Sequence, residues 1–195
     1  MIRVIVADDH PLVRGALEHL LGKQADMEVV ASCENGDSLL EALSASPCDA
    51  VVLDLSLPDR SGFEVLREVC SAWPSLHVVV YTMYARHIVG GAVHSSGAAA
   101  LVNKRDPPED LLRALREPRV AEVEASGPPH LDFTPRQADV FLLLCEGMSP
   151  GDIVRRLGVS PSTVSTHMHA IRTRLGVQST QEILHYALQA GLLDR

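Results

Sequence analysis

No stretch of this chain approaches the ~20 consecutive apolar residues needed to span a bilayer, and the opening MIRVIVADD turns acidic before a secretory core could form. A cytoplasmic protein without a membrane partner is expected. The four cysteines, Cys33, Cys48, Cys70 and Cys145, include no C-x-x-C pair and no metal-like spacing with histidine. Reduced thiols in packing roles are therefore expected. Internal repeats and low-complexity tracts are also missing. Between Ile153 and Gln181 there is no acidic residue, while Arg155, Arg156, Arg172 and Arg174 all fall inside, so that stretch is locally basic.

What is present is a chain of 195 residues, 46% hydrophobic, long enough for one large domain or two small ones. The formal charge of −8 is uneven: residues 1–131 hold 11 Lys and Arg against 19 Asp and Glu, whereas residues 132–195 hold 6 of each. The two parts differ in kind.

Short apolar runs alternate with longer amphipathic segments from the first residue. Strands are expected at 2–7, 28–33, 51–54, 77–82 and 99–103, and helices at 11–23, 36–44, 62–72, 86–96 and 108–116. Five β-α units of this kind predict a doubly wound parallel sheet with helices on both faces and a ligand site at the carboxyl ends of the strands. After Arg116 the segment EPRVAEVEASGPPHLDF carries three prolines and a glycine without periodicity, and reads as a linker. Four further helices follow without strands, at 135–146, 149–157, 161–175 and 180–190. The expected organisation is a domain over 1–117, a linker over 118–131 and an all-α domain over 132–195.

Strand one ends in Asp8 and Asp9, and strand three ends in Asp54, so a parallel sheet brings these carboxylates to one edge. Converging acids repel one another unless a cation neutralises them, and an all-oxygen cluster suits a hard divalent ion, Mg2+ above all. Thr82 closes strand four and Lys104 follows strand five. A carboxylate nucleophile, a metal clamp, a hydroxyl and an ammonium are the parts needed to transfer a phosphoryl group onto Asp54. One strand-end acid alone would be an ordinary polar terminus; five positions in register argue for a site.

In the second domain, Ser149 is placed to cap one helix and Gly158 to end it in a left-handed turn. Ser160 then caps the next, with Pro161 at its first position. This is the grammar of a helix-turn-helix. Ile153, Leu157, Val159, Val164, Ile171 and Leu175 recur at helical spacing as its core. The opposite face of the third helix presents Ser162, Thr163, Ser165, Thr166, His169, Arg172 and Thr173 to phosphates and base edges, within the acid-free stretch. His167 and His169, two apart on a helix, point away from each other, which argues against a shared metal.

VADDHPLVRGAL, VVLDLSLPDRSGFEVL, VVVYTMY and AALVNK resemble the receiver domain of bacterial response regulators, a flavodoxin-like fold. The run from FTPRQADVFLLLCEGMSP to TVSTHMHAIRTRLGV resembles the LuxR-type helix-turn-helix, and their order is that of the NarL/FixJ family. The resemblance implies that a histidine kinase phosphorylates Asp54. It implies that Asp8, Asp9 and Asp54, with the backbone of Leu55 or Ser56, hold Mg2+. Lys104 would pair with the phosphoryl group and Thr82 would act as the switch hydroxyl, while Pro58 and Gly62 shape the following loop. It further implies a homodimer through the receiver face or the final helix, operator DNA and RNA polymerase as partners, and no enzymatic activity beyond forming and slowly hydrolysing its own acyl phosphate.

Three departures stand out. Leu101 occupies the position where the family usually has Tyr or Phe, and Gly90 and Gly91 sit mid-helix, each costing about 1 kcal/mol relative to Ala. Ser162 and Ser165 stand where the family often carries lysine, so a weaker or differently specific DNA reader is expected. Two other functions compete with this one. A Mg2+-dependent phosphohydrolase needs a second acid two residues past the nucleophile, where Ser56 stands. An atypical, phosphorylation-independent regulator or adaptor acting through protein contacts draws its support only from the missing lysines.

Overall fold

The computed structural model describes residues 1–84, 86–117 and 133–189. The expected linker, and the C-terminal Leu192 and Leu193 that continue the apolar character of the last expected helix in sequence, lie outside the described residues. The first ten elements are β1 (Ile2–Ala7), α1 (Pro11–Gly22), β2 (Met27–Cys33), α2 (Gly36–Ala45), β3 (Ala50–Leu53), α3 (Gly62–Ala72), β4 (His77–Thr82), α4 (Arg86–Ser95), β5 (Ala100–Asn103) and α5 (Pro108–Arg116). Four helices follow: α6 (Pro135–Cys145), α7 (Pro150–Leu157), α8 (Pro161–Leu175) and α9 (Thr180–Gln189). Contacts group the elements into two compact units. One comprises β1–β5 with α1, α2, α3 and α5; the other comprises α4 with α6–α9.

All four strand pairings are parallel, in the order β2-β1-β3-β4-β5. Strand β3 reads AVVL and is buried at every position, as a central parallel strand covered on both faces should be. Alternate residues sort onto the two faces. Val4, Val6, Val52, Val79 and Val102 meet Leu17 and Leu21 of α1 and Leu111, Leu112 and Leu115 of α5 in one core. On the other side α2 packs against β1, β2 and α3, with Leu39, Phe63 and Leu66 all within 1% of full burial. Burying each such side chain contributes about 1.5–3 kcal/mol. The chain leaves β1 for β2 on one side, then crosses back to β3 on the other. The crevice at that switch lies at the carboxyl ends of β1 and β3.

Helix α5 begins at Pro108 with Glu109 and Asp110 in its first turn and ends with Arg113 and Arg116, a charge order that suits the helix dipole. Arg116 Nε donates to Asp26 at 2.8 Å and so ties α5 to the turn before β2.

In the second unit, Thr134 and Gln137 form a capping box at the start of α6, and Ser149 and Asp152 do the same for α7. Gly158 ends α7 at φ 60°, and Ser160 caps α8 through the Thr163 backbone N–H. The helix-turn-helix expected between residues 149 and 175 is thus present. Eight consecutive residues of α6, Ala138 to Cys145, are buried. A helix buried around its whole circumference must be covered on several sides, and α7, α8, α9 and α4 all pack on it. Among the buried residues, Asp139 is 3% exposed and accepts from Arg136 Nη1 at 3.2 Å, while Arg136 Nη2 donates to the Leu157 carbonyl. That bridge fastens the start of α6 to the end of α7. Ile153, Leu157, Val164 and Ile171 are buried as expected, joined by Met168, whereas Val159 and Leu175 are half-buried.

Candidate functional site

The carboxyl edge of the sheet is laced by backbone bonds just beyond the strand ends. Asp54 N–H donates to the Ala7 carbonyl at 2.8 Å, Asp8 N–H to Cys33 at 3.1 Å and Lys104 N–H to Thr82 at 2.8 Å. These bonds bring the residues after β1, β3 and β5 into one cluster. Asp8 and Asp54 are 1% and 2% exposed, and Thr82 is fully buried at the adjoining strand end. Lys104 Nζ reaches both carboxylates, 2.7 Å from Asp54 Oδ2 and 2.6 Å from Asp8 Oδ2.

Burial raises the Asp54 pKa above the ordinary carboxylate value and Asp8 adds to the rise, while Lys104 and the Ser56 backbone N–H oppose it. Burial alone would depress Lys104, yet Asp54 and Asp8 together raise it, so the ammonium stays charged. Asp54 Oδ1 is buried with no hydrogen-bond partner. A buried carboxylate oxygen left bare is costly unless a cation or a covalent partner completes it.

Asp8, Asp9 and Asp54 offer oxygens that lie, together with a nitrogen of His10, within 4.8 Å of one another. This donor set, mostly carboxylate and partly open at Asp9, fits a hard divalent cation that keeps several waters. Ser56 joins the site through its backbone N–H toward Asp54.

Three contributors were not singled out from the sequence. His10 Nδ1 lies 2.6 Å from Asp9 Oδ1. Arg14 Nη1, one turn into α1, donates to the Asp8 carbonyl at 2.7 Å and fixes the backbone between the two acids. Asp59 accepts from the Gly36 and Asp37 backbone N–H groups at 2.9 and 2.8 Å, which pins the loop after Asp54 to the start of α2. His10 was legible as the neighbour of an acid pair. The other two follow only from the folded chain.

On α8, Ser162, Ser165, Thr166, His169 and Thr173 are exposed, while Thr163 and Arg172 are half-buried. Several hydroxyls are already engaged. Ser160 Oγ lies 2.7 Å from Ser162 Oγ and 2.8 Å from Thr163 Oγ1, and Thr166 Oγ1 donates to the Ser162 carbonyl at 3.0 Å. Thr166 therefore turns its proton inward and keeps acceptor capacity outside. A groove between α7 and α8, floored by Val154, Val164 and Met168, carries Arg155 and Arg172 among its lining residues. His167 is half-buried, and burial with the nearby Arg136 lowers its pKa.

A five-stranded parallel sheet carrying an acid cluster and a lysine at its switch point, followed by a helix-turn-helix, is the arrangement of a signalling protein. Residues 4–116 match the response regulator receiver domain, and residues 131–187 match the bacterial regulatory proteins of the luxR family. The chain is 28% identical to the oxygen regulatory protein NreC of Staphylococcus epidermidis, over 99% of this chain and all of that one. It is 23% identical to the response regulator UvrY of Escherichia coli, covering 100% and 97% of the two chains. RcsB from Salmonella enterica serovar Typhimurium, solved bound to the promoter rprA with a beryllium fluoride phosphomimetic, matches with a TM-score of 0.86 at 26% identity, over 95% and 98% of the chains. The chain belongs to the response regulators, with the receiver and LuxR-type order of the NarL/FixJ family. Among the described residues no helix is long and apolar enough to cross a membrane.

Proposed function

We propose that this response regulator is a cytoplasmic transcription regulator switched by phosphorylation of Asp54 by a histidine kinase. Its domains run over 1–117 and 132–195, joined by the linker 118–131. The observation that carries the reading is the asymmetry of the Asp54 carboxylate. Lys104 holds Oδ2 at 2.7 Å, and Oδ1 is buried without a partner. Oδ1 is the oxygen placed to attack phosphorus. As its bond to phosphorus forms, the phosphorus–nitrogen bond of the donor phosphohistidine breaks and the imidazole leaves. Lys104 then neutralises the new phosphoryl oxygens, and Thr82 supplies a hydroxyl from the adjoining strand.

Mg2+, held by Asp8, Asp9 and Asp54 with the Ser56 backbone, would offset the charge of the phosphoryl oxygens. The acyl phosphate carries about two negative charges at pH 7, about one more than the carboxylate it replaces. Its slow hydrolysis is the sole turnover proposed, because Ser56 supplies no second acid for a phosphohydrolase.

The output is DNA binding by α8 through Ser162, Thr163, Ser165, Thr166, His169 and Arg172, favoured by dimerisation through the receiver face or α9. Leu188 of α9 is 41% exposed beside buried Ile183 and Ala187, an apolar edge that suits a second copy. RNA polymerase is the downstream partner of such a regulator. Acetyl phosphate treatment followed by mass spectrometry, with random-duplex selection in both states, tests the whole reading. Phosphate on wild type but not on Asp54→Ala, with tighter selected binding after modification, is expected. Selected binding that is unchanged by modification would leave a phosphorylation-independent regulator, and no binding at all would leave an adaptor.

A further inference from the structure

Leu101 pairs with Val80 in the sheet and is 3% exposed, so the position where the family usually has Tyr or Phe holds a buried aliphatic side chain without a polar anchor. An anchored ring stands elsewhere. Tyr84 lies two residues beyond Thr82, is 6% exposed, and donates its hydroxyl to the Glu146 carboxylate at 3.2 Å. Glu146 is the C-cap of α6. Residues Met83 to Ser95 belong to the same compact unit as α6, whereas Thr82 closes a strand of the sheet.

Helix α4 has little stability of its own. It is 10 residues long, shorter than the ~12–15 residues an isolated helix needs, and Gly90 and Gly91 each weaken it relative to alanine. What it has is packing: Val89, Ala92 and Val93 are fully buried, and Gly90 is buried with them. Helix α6 is the element it packs against most. The order of α4 therefore rests on that contact and on the Tyr84 anchor at its entry.

We propose that Tyr84 is a positioning residue that reports the state of Thr82 to α4 through its hydrogen bond with Glu146, in place of an aromatic at position 101. The inference rests on Asp54 being the phosphoacceptor. Only Met83 separates the two residues, and two residues of chain span at most ~7 Å. A shift of Thr82 toward a modified Asp54 reaches Tyr84 with almost no slack to absorb it. At 3.2 Å the Tyr84 bond is near its limit, since such contacts lapse beyond about 3.5 Å. Movement of well under an ångström breaks it, and with it this tie between the entry of α4 and the end of α6.

Hydrogen exchange of the full chain over residues 86–95, with and without beryllium fluoride and Mg2+, reads the device. In wild type the mimic is expected to speed exchange about fivefold, the equivalent of one lost hydrogen bond. Tyr84→Phe is expected to show that faster rate already, with no further response to the mimic. Glu146→Ala should match it, the double variant should add nothing, and Glu146→Gln, which keeps an acceptor, should behave as wild type. A merely structural role would quicken exchange throughout α6–α9 and leave the response to the mimic in place, which overturns the proposal. Asp54 modified by acetyl phosphate, with Tyr84→Phe indistinguishable from wild type in both states, overturns the relay alone. No modification of Asp54 overturns the phosphoacceptor reading and the relay together.

Discussion

Lys104 and Asp54 form a buried ion pair, Nζ to Oδ2 at 2.7 Å, with the side chains 8% and 2% exposed. Removing the cation leaves Asp54 and Asp8 as buried like charges, and breaking a buried pair costs about 3–5 kcal/mol. Lys104→Met should lower stability by roughly 3 kcal/mol in urea unfolding at pH 7, by the same reckoning. Because the folded-state pKa of Lys104 lies above its ordinary 10.5, the pair's contribution is complete below that pH and disappears as pH rises through the raised value. A variant as stable as wild type at pH 7 would show that the pair contributes nothing.

Gly62 is the tightest glycine described. A Cβ there would stand 2.2 Å from the Leu55 carbonyl oxygen and 2.4 Å from Leu55 Cα. Both atoms are backbone and cannot swing aside as a side-chain end can. Gly62→Ala should destabilise the first unit by about 3 kcal/mol or more, the upper range for overpacking, and should slow modification of Asp54 by displacing Leu55 and Ser56. Denaturant titration and acetyl phosphate kinetics check the two effects separately.

His167 should make the second unit acid-sensitive. Its folded-state pKa lies below the ordinary 6.5, lowered by burial and Arg136. The unfolded chain therefore binds the proton first. Stability is complete above about pH 6.5 and declines as pH falls from there through the lowered value. His167→Gln should flatten the melting temperature between pH 7 and 5; an unchanged slope would assign the sensitivity to another group.

Arg172 sits where α8 borders the groove that Arg155 also lines. If it neutralises one phosphate, Arg172→Ala should weaken binding to all duplexes alike and reduce the log–log salt slope by about 0.9. Loss of preference among selected sequences, at an unchanged slope, would make it a base reader instead.

Much of this was legible because charge punctuates apolar runs. Asp8, Asp9, Asp54, Thr82 and Lys104 each end or follow a buried strand, and parallel pairing then decides that they meet. The expected strand over 51–54 was shifted by one residue: β3 ends at Leu53, and Asp54 stands just past the ladder. The caps Ser149 and Ser160 were legible because capping is a local interaction. Arg14 on the Asp8 carbonyl and Asp59 on the start of α2 were not: nothing in the sequence marks Arg14 as turning back to a carbonyl six residues earlier, and Asp59 satisfies backbone 22 and 23 residues away. The Tyr84–Glu146 bond joins residues 62 apart in sequence, beyond any periodicity. The expectation that the α8 hydroxyls face a ligand needed amendment at Thr166, whose proton goes to its own helix.

The sheet keeps its chemistry at one rim, and that asymmetry makes the other rim a place for instrumentation. The turns Lys23–Asp26, Ser46–Asp49 and Trp73–Leu76 lie at the amino ends of β2, β3 and β4. None of them supplies a residue to the acid cluster. Pro47 and Ser75 are exposed there, and exposed loop tips are where labels, nicks and new chain ends are best tolerated. A fluorophore at Ser75, or a permuted chain opening at Pro47, would follow the state of the molecule without touching the groups that set it.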